Sequence, residues 1–323
     1  MGTWTWEELR DGDRPDGPLA LNAYLDMPDP LPTGVAALDQ LLGGGMTRGV
    51  TVLGGGPGAG KTATACHAAA MMAASGKKVI YASYETGWDV VQLRCASAWS
   101  VNNPDPRVGQ VNWSTIVTGK ERRSRHEYDG LTREQLGRYT VGSLMDPVTT
   151  TLTVWDGGPG RNLAVDVGGN SVADLCRVCE DVEQDIGEPP VLVVDYIQIV
   201  PTDARGEQGD TERVTEVMGT LREYAYGARD RHVLALSSLR KLTQAELRDG
   251  PDLGWFRGSA HVGYDAEQAV ILVSDRRKVD DQWVTSYAPD GAVEGRMTVV
   301  KNRTGAAGWS KPTLLYGWCS YLK

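Results

Sequence analysis

The chain has 323 residues, 41% of them hydrophobic, and a formal net charge of −9, enough for one large α/β domain or two small ones. The acidic balance excludes a protein coated in a basic nucleic-acid surface, though not a few local phosphate contacts. Five cysteines (Cys66, Cys95, Cys176, Cys179 and Cys319) are too few and too irregular for a disulfide scaffold, so a reducing cytoplasm is the expected setting. No apolar run approaches the roughly 18 residues of a membrane span, and Met1 to Glu8 has neither the basic nor the apolar region of a secretory signal.

Residues 1–30 include the turn-rich Asp11-Gly12-Asp13-Arg14-Pro15-Asp16-Gly17-Pro18 and read as an arm with one short helix over Thr5 to Arg10. Residues 31–323 read as one domain. Thr33 is placed to cap a helix running to Leu42, which Gly43-Gly44-Gly45 ends. Val50-Thr51-Val52-Leu53 reads as a buried strand. It leads into Gly55-Gly56-Pro57-Gly58-Ala59-Gly60-Lys61-Thr62, the G-x-x-x-x-G-K-T pattern of a phosphate-binding loop, and then into an Ala- and Met-rich helix over Thr62 to Ala74. In that context the glycines let backbone N–H groups curl around phosphate oxygens, and the helix N-terminus adds partial positive charge. Lys61 can reach the β- and γ-phosphates, and Thr62 can hold Mg²⁺.

Lys78 to Ser83 reads as the next strand and Gly87 to Trp99 as a helix. Residues 100–149 are polar and irregular, with short helices expected around Trp113 to Thr118 and Leu131 to Leu144. Their basic cluster, Lys120, Arg122, Arg123 and Arg125, is interleaved with Glu121 and Glu127 and reads as a solvated loop, with a nucleic-acid or partner contact as the other reading. Thr150 to Trp155 is a β-branched strand, and Val172 to Ile186 an amphipathic helix. Cys176 and Cys179 share one face of that helix; a zinc knuckle needs a second pair. Val191 to Asp195 is the clearest buried strand. Thr211 to Ala228 reads as a long helix, and His232 to Leu236 as a strand ending at Ser237-Ser238. Gln268 to Ser274, Arg296 to Lys301 and Thr313 to Tyr316 are later strands. The fold class is α/β: a mostly parallel sheet covered by helices on both faces, with an antiparallel C-terminal edge.

In an open α/β sheet the strand C-termini converge on one crevice, which brings polar strand ends beside Lys61. Asp195 ends an apolar strand in the Walker B manner, where a carboxylate binds Mg²⁺ directly or through water. Glu85 can orient or deprotonate an attacking water there, or be a solvated loop residue. Ser237 and Ser238 can sense a γ-phosphate or simply form a turn. Lys301 and Arg303, at i and i+2, point the same way; they can stabilise charge on a transferring phosphate or face solvent. Trp255-Phe256 can stack bases or anchor a loop in the core.

Taken in order, several stretches resemble the C-terminal RecA-like domain of DnaB-type replicative helicases, from about Pro30 onward. They are Pro32-Thr33-Gly34 with Leu38-Asp39, the phosphate loop, Ser83-Tyr84-Glu85, Val194-Asp195-Tyr196-Ile197-Gln198, Ala235-Leu236-Ser237-Ser238-Leu239, Arg257-Gly258-Ser259 with Asp265-Ala266, and Lys301-Asn302-Arg303-Thr304-Gly305. The resemblance implies a RecA-like P-loop NTPase core. It implies a homo-hexameric ring that hydrolyses ATP with Mg²⁺ between subunits and moves along single-stranded DNA in replication, with a loader or primase as further partners. Carried over to this sequence, Gly55 to Ala63, Asp195 and Gln198 bind nucleotide, and Thr62 and Asp195 serve the metal. Glu85 is the catalytic base, Lys301 and Arg303 reach the neighbouring subunit's ATP, and Arg257, Gly258 and Ser259 hold DNA. Three features depart from the family: Ser238 stands where a Gln is usual, only about 30 residues precede the match where relatives carry an N-terminal collar domain, and the DNA loop Arg257-Gly258-Ser259-Ala260-His261 carries fewer charges than in many relatives. A RadA- or KaiC-like ATPase without processive unwinding is the alternative reading.

Overall fold

Along the central strands successive side chains leave by opposite faces, and both faces are apolar, so each strand must be covered on two sides. In the computed structural model the described residues are 29–102, 112–114, 152–155, 171–203, 209–228, 230–279 and 282–323. The expected helices over Thr5 to Arg10 and Leu131 to Leu144, nearly all of that at Trp113 to Thr118, and the basic cluster at Lys120 to Arg125 lie outside them.

The elements in order are α1 (Ala36–Leu42), β1 (Gly49–Gly55), α2 (Lys61–Ala74), β2 (Val79–Ser83), α3 (Trp88–Asn102), β3 (Leu152–Trp155), α4 (Val172–Ile186), β4 (Val191–Asp195), α5 (Asp210–Gly227) and β5 (His232–Ser238). They continue with α6 (Gln244–Asp249), α7 (Ser259–Asp265), β6 (Gln268–Ser274), β7 (Arg276–Val279), β8 (Gln282–Thr285), β9 (Val293–Asn302), β10 (Ser310–Tyr316) and β11 (Tyr321–Leu322). Nine strands form one sheet in the order β11-β10-β9-β6-β1-β5-β4-β2-β3, and β7 and β8 form a separate hairpin. Strands β1 to β6 run parallel, while β9, β10 and β11 pair antiparallel at one edge, as the sequence predicts.

Two cores follow from the alternation. Leu53, Tyr81, Val193, Leu234, Leu236 and Val270 face α1, α2 and α3. Val50, Val52, Leu192, Val194, Val233 and Ala235 face α4, α5 and the Trp255–Val262 segment. Cys176 and Cys179 are buried together on α4, and all five cysteines are free and buried. Among the described residues no group of three metal-ligating side chains forms, and no helix is long and apolar enough to cross a membrane.

Some local expectations change. Thr33 does not cap α1, which starts at Ala36 with Val35 as its N-cap. Asp39 explains why: its carboxylate accepts from Thr33 N and Oγ1 at 2.8 and 2.6 Å and from Gly34 N at 2.9 Å, folding the approach into a turn. Strand β5 runs on through Ser237 and Ser238, and β9 begins at Val293, three residues before the sequence shows it. Helix α6 is new, although its capping box is written plainly: Thr243 Oγ1 accepts from Glu246 N while Glu246 takes the Thr243 N–H. Trp255 and Phe256 are 2% and 1% exposed, so they anchor the loop and are not free to stack bases.

Phe256 is placed by a missing side chain. A Cβ on Gly54 would lie 2.4 Å from the Phe256 ring and 3.2 Å from Leu239. Gly54→Ala should therefore cost about 1–3 kcal/mol, as overpacking of a closed core does. Denaturant unfolding of the two proteins checks this; an unchanged midpoint would mean that Phe256 does not rest on the strand.

Candidate active site

The sheet order brings the polar strand ends to one edge. Gly55 of β1 is in register with Ser238 of β5, and Ser83 of β2 with Asp195 of β4. With about 4.8 Å between neighbouring strands, the phosphate loop, Ser238, Asp195 and the segment after Ser83 lie within roughly 15 Å across the edge.

Residues 56–60 turn from β1 into α2 through Gly58 and Gly60, both at positive φ (74° and 98°). Gly60 also needs its bare Cα, because a Cβ there would lie 2.5 Å from Leu315. Gly56 and Gly58 have open space where a Cβ would be, leaving the backbone approachable. Helix α2 has no side-chain cap and no acid in its first turn, so its N-terminal dipole stays uncompensated and suited to an anion. Lys61 folds back over the loop, donating to Gly55 O at 2.8 Å and Gly56 O at 3.2 Å. Burial lowers its pKa, while the nearby charges of Asp195 and Glu85 act the other way.

Asp195 is 1% exposed. Its Oδ2 accepts from the Tyr81 hydroxyl at 3.0 Å, and Thr62 also hydrogen-bonds to the carboxylate. Its Oδ1 is buried with no partner. Burial raises its pKa against the opposing pull of the Thr62 and Tyr81 hydrogen bonds. A carboxylate oxygen without a partner, next to the hydroxyl of Thr62, is the donor chemistry of a hard divalent cation. The site therefore fits Mg²⁺ with a nucleoside triphosphate.

Glu85 is exposed on the turn after β2. Ser83 Oγ holds that turn, donating to Thr86 O at 2.7 Å and accepting from Thr86 N at 3.2 Å, and Tyr84 N donates to Asp195 O at 2.9 Å. The carboxylate stands close enough to Lys61 and Asp195 to act on both electrostatically.

Gln198, expected from the sequence as a nucleotide contact, is 4% exposed. Both ends of its amide are used within the protein: Nε2 donates to Ser237 Oγ and Arg257 O, and Oε1 accepts from Ser238 N. It ties three segments together, and the second lone pair of Oε1 is the amide's remaining hydrogen-bonding capacity. Arg257 follows directly on this network, its N–H donating to Ser238 O at 3.2 Å and its half-exposed guanidinium pairing with Asp210. Gly258 sits at φ 77°, where a Cβ would press on Val214 at 2.9 Å, and Ser259 opens α7.

Lys301 and Arg303 are not at this edge. Ala269 of β6 pairs with Lys301, and Arg303 N bonds Glu267 O, which places Arg303 level with Val50. That is five residues back from Gly55 along the sheet, about 17 Å and beyond the reach of the side chain. The two cations do point the same way: Lys301 Nζ donates to Gly263 O and Ala266 O, and Arg303 to Tyr264 O at 2.6 Å, at the carbonyl end of α7. Neither can serve the phosphate loop of its own chain.

Two functional candidates escape a reading of the sequence. Tyr81 orients Asp195, and the available signal was a phenol in the middle of a buried strand, whose hydroxyl must find a partner. Glu267, with a nearly buried carboxylate, accepts from the Tyr226 hydroxyl and pairs with Arg303 at 3.5 Å. Nothing in its spacing marks it.

Residues 160–315 match the model of the DnaB-like helicase C terminal domain. Over 248 residues the chain is 24% identical to the replicative DNA helicase DnaC of Bacillus subtilis, a match covering 76% of this chain and 47% of that protein. It is 54% identical to the DNA repair and recombination protein RadB of Halobacterium salinarum over 56 residues, 17% of this chain and 24% of that one. The chain thus spans about half the length of the curated helicases it matches. Among solved structures, that of an ATPase domain superposes with a TM-score of 0.71 at 16% identity, covering 96% of this chain and 98% of that one. A DnaB-like replicative helicase solved with attention to its interactions with primase gives 0.70 at 17%, covering 98% and 69%. The fold is therefore that of the DnaB-like, RecA-type ATPase domain.

The buried acid has a pH signature. The folded pKa of Asp195 lies above its ordinary value of 3.8, so the folded state keeps a proton that the unfolded state gives up. Stability contributed at this position is thus present below pH 3.8 and falls as pH rises above it. Asp195→Asn, without nucleotide or Mg²⁺, should raise the melting temperature at neutral pH by about 2–4 °C, as for ~1 kcal/mol in a domain of this size, and lose that advantage in acid. Thermal melts at the two pH values check both signs.

Proposed function

We propose that this chain, whose residues 160–315 match the model of the DnaB-like helicase C terminal domain, is the motor of an ATP-driven DNA helicase acting on single-stranded DNA as a homo-hexameric ring. The observation that carries the reading is the separation of two converging cations, Lys301 and Arg303, from the phosphate loop of their own chain. Lys61, Thr62, Asp195 and Glu85 gather at one edge, while Lys301 lies about 10 Å and Arg303 about 17 Å back from it along the strands. A ring of copies brings the second set of one chain to the first set of the next.

In this reading the loop N–H groups and the α2 N-terminus bind the β- and γ-phosphates, and Lys61 swings from its contacts with Gly55 O and Gly56 O onto phosphate oxygen. Asp195 and Thr62 hold Mg²⁺, which when bound neutralises phosphate charge. Glu85 accepts a proton from the attacking water. Arg303, with Lys301, leaves the α7 carbonyls and stabilises charge on the neighbour's transferring phosphate. Arg257, Gly258 and Ser259 contact the DNA backbone, and the few phosphates involved suit the acidic net charge. A loader or primase is a further partner by analogy with the replicative relatives. The local likeness to RadA and RadB proteins supports a second reading, a RecA-class ATPase that does not unwind.

Steady-state hydrolysis, nucleotide binding and unwinding of a forked duplex test the proposal. Single-stranded DNA should stimulate hydrolysis. Lys61→Ala should lose about 100-fold or more in kcat. Arg303→Ala should lose about 1,000-fold while still binding ATP, as expected of a residue acting in trans. Hydrolysis without DNA stimulation or unwinding would favour the RecA-class alternative, and a protein that stays monomeric with ATP and DNA would sink the shared site.

A further inference from the structure

Gln198 lies in the short 3₁₀ turn Ile197–Ile199, three residues after Asp195, and is 4% exposed. Its amide joins three separate segments. Nε2 donates to Ser237 Oγ at 2.8 Å and to Arg257 O at 3.4 Å, and Oε1 accepts from Ser238 N at 3.1 Å. Arg257 N closes the circuit by donating to Ser238 O at 3.2 Å.

Ser238 is the pivot of this arrangement. It stands in register with Gly55, the first residue of the phosphate loop. Its N–H is held by Gln198 and its carbonyl by Arg257, while its hydroxyl is buried with no partner. The serine thus has its main chain tied to the Arg257 segment and its side chain left over on the phosphate edge. A planar amide carries acceptor and donor at a fixed separation, so a shift felt at Oε1 is passed to whatever Nε2 holds. An aliphatic side chain at 198 would deprive Ser238 N and Arg257 O of these bonds at once, and buried polar groups left without partners are costly.

We propose that Gln198 is a positioning residue that couples occupancy of the phosphate loop to the placement of Arg257. It acts through Ser238 and touches neither nucleotide nor DNA. DNA drawn to Arg257 shifts Ser238 by the same amide and so alters hydrolysis; strict reciprocity holds between the two binding affinities. The inference rests on the DNA-driven hydrolysis proposed above.

Three variants separate the arms of the amide. Gln198→Glu keeps an acceptor for Ser238 N and an oxygen for the Ser237 hydroxyl, but turns the donor facing Arg257 O into a second acceptor. Gln198→Leu removes every arm. Ser237→Ala leaves both the Ser238 and the Arg257 arms of the amide in place, and removes besides its own arm only the 3.3 Å bond from the Ser237 hydroxyl to Ser238 O. The measurement is ATP turnover with and without saturating single-stranded oligonucleotide, with KM for ATP recorded alongside.

The expected result for Gln198→Glu is a fall in the ratio of DNA-saturated to DNA-free turnover of about fivefold or more, the low end of ordinary coupling between sites, with KM little changed. Gln198→Leu should fall at least as far, and Ser237→Ala should keep the wild-type ratio. If both rates drop in proportion, the ratio stands and Gln198 is only structural, which overturns the assignment; an unchanged ratio in both Gln198 variants does so too. Should the leucine variant fail to fold, the near-isosteric glutamate still decides. A wild-type rate indifferent to DNA would instead overturn the DNA-driven reading itself.

Discussion

The arrangement depends on holding a carboxylate at the end of a strand that is otherwise entirely apolar. Val191 to Val194 are buried on both faces of the sheet, and Asp195 continues them with 1% exposure. Such a group is tolerated only if its neighbours answer it. Tyr81, from the adjacent strand, and Thr62, from the start of α2, do so on one side, and Oδ1 stays open. The same burial that costs stability strengthens whatever electrostatic contact the open oxygen makes. Lys61 shows the complementary state, a cation pushed toward neutrality by burial and held by loop carbonyls. Two opposite charges kept apart in a partly dry cleft form a site prepared for a ligand carrying both signs, such as a metal-bound polyphosphate.

The second organising fact is the direction of the strands. Parallel β1 to β6 deliver Gly55, Ser83, Asp195 and Ser238 to one edge, while antiparallel β9 carries Lys301 and Arg303 toward the other. Helix α7 bridges the two. It begins after Arg257 and Gly258, and its last carbonyls hold both cations. The separation of the two cations from the phosphate loop is thus a consequence of topology and not of side-chain reach.

Much of this is written in the sequence, because the strongest signals are local. The phosphate loop, the four apolar residues before Asp195, and α4 over Val172 to Ile186 are each set by a short stretch of chain, and each sits where those stretches place it. The parallel sheet with its antiparallel edge follows from the order of such stretches. Less legible was anything set by a distant neighbour. Asp39 draws Thr33 out of its capping role, Gly54 yields its space to Phe256, and Gln198 spends its amide on Ser237, Ser238 and Arg257. Glu267 is the extreme case: its partners Tyr226 and Arg303 lie 41 and 36 positions away in the chain, and no periodicity reports them.

The contact between Gly54 and Phe256 has a meaning for descent as well as for packing. One residue precedes the phosphate loop and the other precedes Arg257, and the ring occupies the volume a side chain at 54 would need. Neither position is free to drift by itself. Among related chains the two should change as a pair, with a larger residue at 54 accompanied by a smaller one at 256. Such paired substitutions would mark the nucleotide strand and the Arg257 segment as inherited together, even where every polar residue between them had been replaced.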